Sequence, residues 1–384
     1  MRRNSPAYRQ GKDGLSPPRH QLTERSSPMP HGLIPTTREI PGEKPAPRPP
    51  NPAAGLKRPV GIHSTGLYVP PRVVTNEELT RTLDTSDAWI TSRTGIRERR
   101  FLEPGMATSD MSIEAARQAL SRGGVAPAEL DAVVLTTFTP DQPLPSTALM
   151  VKQALGAHRA IPLDLTQAAC SGGIYALLVA AHLLQNDSYS RILVIGADAG
   201  SRATDPQDRG TRVFLGDAAG AVLLGPGAPG FGLLSWDTGD ELSYDVEIPA
   251  GGSRRPAGQE AAGGRDQYLK MLGKSVWNMA TGRLPHSIRQ TALRAGVELD
   301  EVRYFLLHQA NLNIINEAMQ SLGVPAERAP TTVGRFGNTA AASMFTVLHE
   351  AMAGGVRHGD LLMMSGIGAG FLWGSACFRY DGRG

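Results

Sequence analysis

The sequence of 384 residues has few cysteines, few aromatic side chains and no long apolar run. Its two cysteines are too few for a disulfide framework or a four-thiolate zinc site, which excludes a disulfide-stapled scaffold and a zinc-ribbon fold. No stretch of about 18 uncharged apolar residues occurs, so we expect no membrane span. These absences predict a cytoplasmic protein whose cysteines are reduced and have to be considered one at a time.

Positive charge is concentrated at the N-terminal end. Residues 1–58 hold 11 Lys and Arg against 4 Asp and Glu, together with 12 of the 29 prolines, whereas the rest of the chain holds 28 against 32. This composition predicts a disordered, Pro-rich basic tail, which acts as a tether for an acidic partner or as a solvated extension. No apolar segment follows Arg2 and Arg3, so a twin-arginine export signal is not expected. The acidic body offers no basic face, and nucleic-acid binding is not expected either.

Residues 59–384 alternate short apolar runs with segments of helical periodicity. The predicted strands cover residues 131–138, 160–165, 191–197, 219–224, 232–237, 304–308, 361–365 and 375–380. The predicted helices cover residues 109–122, 146–155, 171–185, 269–295, 312–322 and 341–354. Apolar strands that alternate with helices indicate sheets covered on both faces, hence a layered α/β fold. The segment GPGAPG divides the body into halves of 59–228 and 229–384.

Cys170 occupies the most informative position. The segment LDLTQAACSGGIY places it between the end of an apolar strand and the start of a helix. The positive end of a helix dipole favours a thiolate, which is typical of a nucleophilic cysteine. A small buried core cysteine is equally compatible with this segment taken alone. Cys377 lies inside the last apolar strand and is predicted to be a core residue.

Three other polar or glycine-rich segments lie at strand ends or turns. His308 closes the strand YFLLH, Asn338 lies in the turn GRFGNTAAAS, and the loop SGIGAGFLWG at 365–374 can expose backbone N–H groups. Each has an ordinary structural explanation: a satisfied histidine, a turn asparagine and a tight loop. Together with Cys170 they supply a nucleophile, hydrogen-bond donors and an oxyanion hole, the set that acyl transfer through a thiolate requires. We predict no metal site.

Six segments resemble the β-ketoacyl-acyl-carrier-protein synthase III family of the thiolase superfamily. They are DTSDAWITSRTGIRERR, QAACSGG, DPQDRGTRVFLGDAAGA, HQANLNII, GRFGNTAAAS and GIGAGFLWGSA. The resemblance covers essentially all of residues 59–384. It implies a five-layer αβαβα fold of two duplicated halves, which normally forms a homodimer.

The resemblance also implies a ping-pong acyl transfer. Cys170 would take an acyl group from a coenzyme A or carrier-protein thioester, with the N–H groups of Cys170 and Ala369 as the oxyanion hole. His308 and Asn338 would then stabilise the enolate that forms when a malonyl thioester loses CO2. The carbon of this enolate would attack the acyl-Cys170. The thioester is a substrate, and no cofactor is implied.

Six residues are implied to bind coenzyme A (CoA): Thr85, Trp89, Arg93, Arg209, Gly273 and Asn311. Trp89 and Arg209 would sandwich the adenine between an aromatic face and a guanidinium plane. Arg93 and Thr85 would contact the nucleotide phosphates. Asn311 and Gly273 would contact the pantetheine arm.

The chain departs from the family pattern where an acidic carrier protein would dock. Uncharged residues stand where that pattern has basic ones: Asn278, Asn313, Gln320 and Ser321. Lys274 keeps one positive charge near the mouth of the substrate tunnel that the resemblance implies. Leu144 stands where the family pattern has a larger aromatic residue that would limit acyl length. A weakened docking patch for acyl carrier protein predicts a specialised member of the family. Such a member would prime a polyketide rather than a fatty acid, or transfer the acyl group to an oxygen or nitrogen acceptor.

Two other classes of protein remain open. A papain-like hydrolase also combines Cys, His and Asn, but carries its cysteine near the mature N-terminus in a different motif. A non-catalytic thiolase-fold partner subunit would lack the cysteine. A water-stable acyl group on Cys170 would distinguish the condensing enzyme from both.

Overall fold

The structure, a computed structural model, describes residues 56–166, 169–258 and 264–383. Most of the predicted tail over residues 1–58, the centre of the glycine-rich loop at 251–264 and the first two residues of QAACSGG lie outside the described residues. At the end of the predicted tail, Leu56 packs against the core and the N–H of Arg58 donates to Gln185 Oε1 over 2.9 Å. No described helix is long and apolar enough to cross a membrane.

The strands and helices of the described residues alternate as expected. The strands are β1 (Val60–Tyr68), β2 (Val73–Thr75), β3 (Glu98–Arg100), β4 (Ala132–Thr136), β5 (Ile161–Leu165), β6 (Ile192–Ala199), β7 (Asp217–Pro226), β8 (Gly232–Asp240), β9 (Val246–Glu247), β10 (Lys270–Met271), β11 (Val302–Leu307), β12 (Leu361–Gly368) and β13 (Leu372–Arg379). The helices are α1 (Asn76–Thr80), α2 (Asp87–Thr94), α3 (Thr108–Gly123), α4 (Thr147–Leu155), α5 (Gly172–Leu183), α6 (Gly200–Ala203), α7 (Arg209–Arg212), α8 (Gly273–Ala295), α9 (Leu312–Leu322), α10 (Val333–Phe336) and α11 (Ser343–Ala353). All the predicted strands and helices are present, with ends displaced by at most a few residues.

The sequence prediction missed strand β1. Its segment VGIHSTGLY has no continuous apolar run, because His63, Ser64 and Thr65 interrupt it. The strand nevertheless pairs antiparallel with β7 along its length. A Cβ at Gly66 would lie 2.0 Å from the Ala115 carbonyl, so the glycine lets α3 approach this strand closely.

Two mixed sheets form the framework. The first has the strand order β1-β7-β6-β4-β5 and the second has the order β11-β12-β13-β8. Strands β4, β5 and β6 run parallel in the first sheet, as do β11 and β12 in the second, and antiparallel strands complete both sheets. We call residues 60–226 the first half and residues 232–379 the second half. The carboxyl ends of parallel strands meet at one edge of a sheet, where ligands of α/β proteins bind.

Helices α5 and α11 lie between the two sheets. One buried core joins these two helices to facing strands of both sheets, with Val194 from the first and Met364 from the second. A second core joins the outer face of the first sheet to α3 and α4, and a third joins the outer face of the second sheet to α8 and α9. The layers therefore follow the αβαβα order, which confirms the predicted fold class.

Candidate active site

Cys170 lies on a tight turn between β5 and α5. Residues Ala169–Ser171 form a 3-10 turn, in which Ala169 has a positive φ of 38° that is uncommon outside glycine. Helix α5 begins at Gly172, where a Cβ would meet Thr136 Oγ1 at 2.0 Å, so this position requires glycine. The turn contacts β12 of the second sheet. The thiol is thereby held where the two halves meet.

The Cys170 thiol is partly accessible from a cavity but is densely surrounded by protein. Burial, with a smaller contribution from the negative charge of Asp198, raises its pKa to about 12. Desolvation of the charged form therefore opposes the predicted stabilisation of a thiolate by the N-terminus of α5. Cys377 is fully buried in β13, which confirms its predicted place in the core.

His308 directly follows β11, and its N–H donates to the Ser365 carbonyl of β12 over 2.8 Å. The residue is 5% exposed, and burial lowers the pKa of its imidazole to about 4. The ring is therefore neutral at pH 7. Its Nδ1 lies 2.5 Å from the hydroxyl oxygen of Ser343, the first residue of α11. A helix of the central layer thus fixes the orientation of the ring.

Asn338 lies on the turn that precedes α11. Its N–H donates to the Phe214 carbonyl over 2.8 Å, and its carbonyl accepts from the N–H of Gly216 over 3.0 Å. These bonds attach the turn to the first half. The side-chain Oδ1 accepts from the N–H of Ala340 over 2.9 Å, so the amide NH2 is the group that can donate into the cavity.

A cavity of about 460 Å³ brings these groups together. Its lining includes six residues that the sequence predicted for the site: Cys170, Gly273, His308, Asn311, Asn338 and Ala369. Ala369 belongs to the turn between β12 and β13. Much of the remaining wall is apolar and includes Leu242, Val246, Leu269, Met271, Val276 and Phe371. Such a cavity can hold an apolar acyl chain with its carbonyl carbon at the thiol.

A second cavity, of about 490 Å³, adjoins the first, since Gly273, Trp277 and Asn311 line both. The outer cavity is also lined by Trp89, Arg93 and Asn313. The side chains of Asn311 and Asn313 donate to the Arg93 carbonyl over 3.0 and 2.9 Å, which ties α9 to α2 at the mouth. The two cavities together offer a route from the surface towards Cys170.

Three predicted residues line neither cavity. The guanidinium carbon of Arg209 lies 5.5 Å from the centroid of the Trp89 ring. An adenine inserted between two stacking partners needs about 7 Å, so the pair is too close to form the predicted sandwich without movement. Thr85 Oγ1 is buried without a hydrogen-bond partner among the described residues. Leu144 is 82% exposed on the loop after β4 and does not line the cavity of its own chain.

Two residues of the site, Ser343 and Asp198, were not predicted from the sequence. Ser343 ends the segment GRFGNTAAAS, but only the fold places its hydroxyl on His308. Asp198 is fully buried near the end of β6, and burial raises the pKa of its carboxyl to about 6. An acidic residue inside the apolar run ILVIGADA was the available signal for a special role. Within the described part of the chain, no group of three His, Cys, Asp or Glu residues could hold a metal ion.

A five-layer fold with cysteine, histidine and asparagine around one cavity defines a thiolase-type acyltransferase. Residues 163–241 match the family model described as 3-oxoacyl-[acyl-carrier-protein (ACP)] synthase III, and residues 293–380 match the model of its C-terminal part. The chain is 42% identical over 326 residues to the β-ketoacyl-[acyl-carrier-protein] synthase III of Symbiobacterium thermophilum, covering 84% of this chain and 98% of that protein. The chain therefore belongs to the β-ketoacyl-acyl-carrier-protein synthase III family.

Solved structures agree with this assignment. The synthase III of Thermus thermophilus is 37% identical and superposes with a TM-score of 0.79, covering 84% of this chain and 99% of that one. The priming β-ketosynthase from the R1128 polyketide biosynthetic pathway is 30% identical with a TM-score of 0.79, covering 88% of this chain and 100% of that one. The prediction of family and enzyme class from sequence is confirmed.

Proposed function

We propose that the protein takes an acyl group from a thioester onto Cys170 and joins it to a malonyl thioester with loss of CO2. The observation that carries this proposal is the meeting of Cys170 from the first half with His308 and Asn338 from the second half in one cavity. Neutral hydrogen-bond donors beside a nucleophile suit a reaction that passes through an enolate. Acyl-CoA and acyl carrier protein are the proposed substrate and partner, in line with the names of the relatives.

In the first step, the sulfur of Cys170 attacks the thioester carbonyl carbon. The C–S bond to CoA breaks, and CoA leaves as a thiol with the proton that Cys170 gives up. The N–H groups of Cys170 and Ala369 are the proposed donors to the oxyanion. Burial and the charge of Asp198 raise the pKa of the Cys170 thiol, so the proposed attack is one in which the thiol loses its proton as the S–C bond forms.

In the second step, the malonyl carboxylate leaves as CO2, and its electron pair stays on the α-carbon as an enolate. His308 Nε2–H and the Asn338 amide donate to the enolate oxygen. We assign the Ser343 hydroxyl as the donor to His308 Nδ1, 2.5 Å away, so that the ring proton lies on Nε2. The α-carbon then attacks the acyl carbonyl. Cys170 leaves as a thiolate and takes a proton from solvent.

The outer cavity is the proposed channel for CoA. Trp89 and Arg93 lie at its outer end, while Gly273 and Asn311 lie where it joins the acyl cavity. This order of residues matches a bound CoA whose nucleotide lies at the outer end of the channel and whose pantetheine arm reaches towards the acyl cavity. Arg209 would have to leave the Trp89 ring for adenine to enter between them, because the two now stack on each other. The proposed phosphate contact of Thr85 also needs a movement, since its hydroxyl is buried.

A homodimer is proposed from the edge of the first sheet. Strand β5 is the last in the strand order, and large apolar side chains are exposed beside it: Leu144 (82%), Leu149 (41%) and Ile161 (44%). A second copy that pairs along β5 would cover an edge that otherwise invites aggregation. It would also place Leu144 in an interface, where it could act as the predicted acyl gate. A cytoplasmic location, expected from the cysteine content, belongs to the same proposal.

Intact-protein mass spectrometry with a panel of CoA thioesters tests the first step through the mass added to Cys170. Malonyl carrier protein is then added, and we expect the adduct to disappear as a 3-ketoacyl product forms. Absence of an adduct with every thioester would overturn the proposal. An adduct that malonyl carrier protein leaves unchanged would instead favour transfer to an oxygen or nitrogen acceptor.

Priming of a polyketide is a second candidate function, favoured by the uncharged residues that stand where the family pattern has basic ones. Asn313, where the family pattern has a basic residue, uses its amide to bind the carbonyls of Ser92 and Arg93. It therefore supports the entrance and brings no positive charge to a docking partner. The priming β-ketosynthase from the R1128 polyketide biosynthetic pathway, at 30% identity, is a relative with that role. Efficient formation of 3-ketobutyryl product from acetyl-CoA and a fatty-acid malonyl carrier protein would exclude this candidate.

A further inference from the structure

The duplication of the fold gives the Cys170 turn a counterpart in the second half. Each turn contains an alanine with positive φ, 38° at Ala169 and 46° at Ala340. In each, a 3-10 turn starts at that alanine, and a central helix begins three residues later, at Gly172 and at Ser343. The residue that corresponds to Cys170 is therefore Ala341.

The strands that face these turns correspond in the same way. Each sheet has one facing pair of glycines on its middle strands, Gly196–Gly220 in the first and Gly366–Gly374 in the second. Counting from these pairs, Asp198 corresponds to Gly368 and Ala199 corresponds to Ala369. The proposed oxyanion donors, the N–H groups of Cys170 and Ala369, thus have a counterpart pair in the N–H groups of Ala341 and Ala199.

Protein side chains occupy both counterpart donors. The N–H of Ala341 donates to Asp198 Oδ2 over 2.9 Å. The N–H of Ala199 donates to Thr139 Oγ1 over 2.8 Å, and that hydroxyl donates in turn to Asp198 Oδ1 over 3.0 Å. The carboxylate of Asp198 therefore lies where the second half would otherwise have its own oxyanion hole.

Asp198 also holds the loop that follows β4. Its Oδ1 accepts from Thr137 Oγ1 over 2.8 Å and from the N–H groups of Phe138 and Thr139 over 2.9 and 3.2 Å. One buried side chain thus connects a loop of the first half with the turn after Asn338. A fully ionised carboxylate accepts from all these donors, whereas an amide would present a donor to one of them.

We propose that Asp198 is a positioning residue for the decarboxylation step, because it fixes the turn that directs the Asn338 amide into the cavity. The path is short: Asn338 Oδ1 binds the N–H of Ala340, and the N–H of the next residue, Ala341, binds Asp198. This inference rests on the proposed condensing function. It adds that a carboxylate of the first half, which fills the counterpart of the oxyanion hole, keeps the Asn338 donor of the second half in place.

The substitution Asp198→Asn tests the proposal. With its carbonyl oxygen towards the four donors at Oδ1, the amide turns its NH2 towards the N–H of Ala341 and breaks that bond. We expect the amount of acyl-Cys170 formed from acyl-CoA to be retained, because loss of the Asp198 charge lowers the pKa of the Cys170 thiol and does not hinder its attack. CO2 release from malonyl carrier protein, counted per acylatable Cys170, should fall about 10–100-fold, the scale of a misplacement of about 1 Å. Combining Asp198→Asn with Asn338→Ala should give no further loss beyond Asn338→Ala alone.

Asp217→Asn is the matched control. Asp217 is also a fully buried carboxylate, but it lies on the outer face of the first sheet and binds Leu102 and Ser201. This variant should lose thermal stability and yet keep the wild-type ratio of decarboxylation to acylation. If Asp198→Asn does not fold, Thr137→Val removes one donor to Oδ1 and should give a smaller but equally selective loss of decarboxylation.

Three outcomes separate the possibilities. A selective loss of decarboxylation supports the inference. Loss of acylation and decarboxylation in equal proportion, or independent effects in the double variant, would overturn it and leave Asp198 a purely structural residue. Failure of the wild-type protein to form an acyl-Cys170 or to release CO2 would instead count against the proposed function itself.

Discussion

The two halves of the protein share one framework but supply different groups to the proposed reaction. The first half carries Cys170 on its turn, where the second half has Ala341. The second half carries His308, which the first residue of α11, Ser343, contacts at 2.5 Å. At the corresponding position of α5, a Cβ on Gly172 would meet Thr136, so Thr136 is the counterpart of His308. Duplication thus made two equivalent positions, and each half holds reactive groups where the other has inert ones.

The comparison shows why the working site lies between the halves. The Cys170 turn contacts β12, and the Ala340–Ala342 turn contacts β6, so each turn is completed by a strand of the other half. At the first position the end of β12 and the turn after it supply Gly368 and Ala369, which leave space for a substrate. At the second the facing strand supplies Asp198, whose carboxylate fills that space. The framework is symmetric, but Gly368 leaves one of the two equivalent positions open and Asp198 closes the other.

The strongest test of this division is to remove the nucleophile. Cys170→Ala should abolish the acyl adduct completely, because no other thiol borders the cavity. Cys377→Ala, which removes the buried cysteine of the second half, should keep the adduct and cost about 1 kcal/mol of stability. Intact-protein mass spectrometry with an acyl-CoA measures both.

A second variant sharpens the same result. Adding Ala341→Cys to Cys170→Ala places a thiol at the counterpart position, and we expect no adduct, because Asp198 occupies the N–H group that would face the carbonyl oxygen. An adduct in that double variant would show that the counterpart position is also open. The division of the halves into one working and one filled site would then be wrong.

Removal of the donors of the second half should produce the next largest effect. His308→Ala or Asn338→Ala should lower CO2 release from malonyl carrier protein about 10²–10³-fold, the usual cost of one oxyanion donor. Acylation of Cys170 should persist in both variants, since its proposed donors are other N–H groups. Ser343→Ala should cause a smaller loss of CO2 release, because it leaves the imidazole in place and removes only the hydrogen bond at its Nδ1. An equal loss of acylation in His308→Ala would mean that the halves do not divide the two steps.

The sequence alone was sufficient to locate the candidate residues that follow continuous apolar runs. Cys170 and His308 could be located because each follows a buried strand, and the carboxyl ends of such strands gather at one edge. The family resemblance then assigned these two residues to one acyl-transfer reaction. Strand β1, interrupted by polar residues, and the contact between Arg209 and Trp89 depend on packing across the chain, and no local pattern contains them.

The resemblance implied two duplicated halves, but the sequence shows no clear repeat between them. The corresponding residues differ at the positions that matter: Cys170 and Ala341, Thr136 and His308, Gly172 and Ser343. The raised pKa of Cys170 was equally beyond reach, because it follows from burial and from Asp198, 28 residues further along the chain.

The smallest expected effect concerns the outer cavity, where the first half supplies the predicted adenine contacts. Trp89→Ala should raise the KM for acyl-CoA about 2–30-fold, because a cation–π or stacking contact at a partly exposed ring contributes about 0.5–2 kcal/mol. Arg209→Ala, its stacking partner at 5.5 Å, should have a similar effect. Neither change should alter the KM for malonyl carrier protein, which brings a pantetheine arm but no adenine. Steady-state kinetics with each substrate varied in turn separates the two constants. A rise in both would mean that α2 shapes the whole entrance, and that Trp89 does not act through the nucleotide.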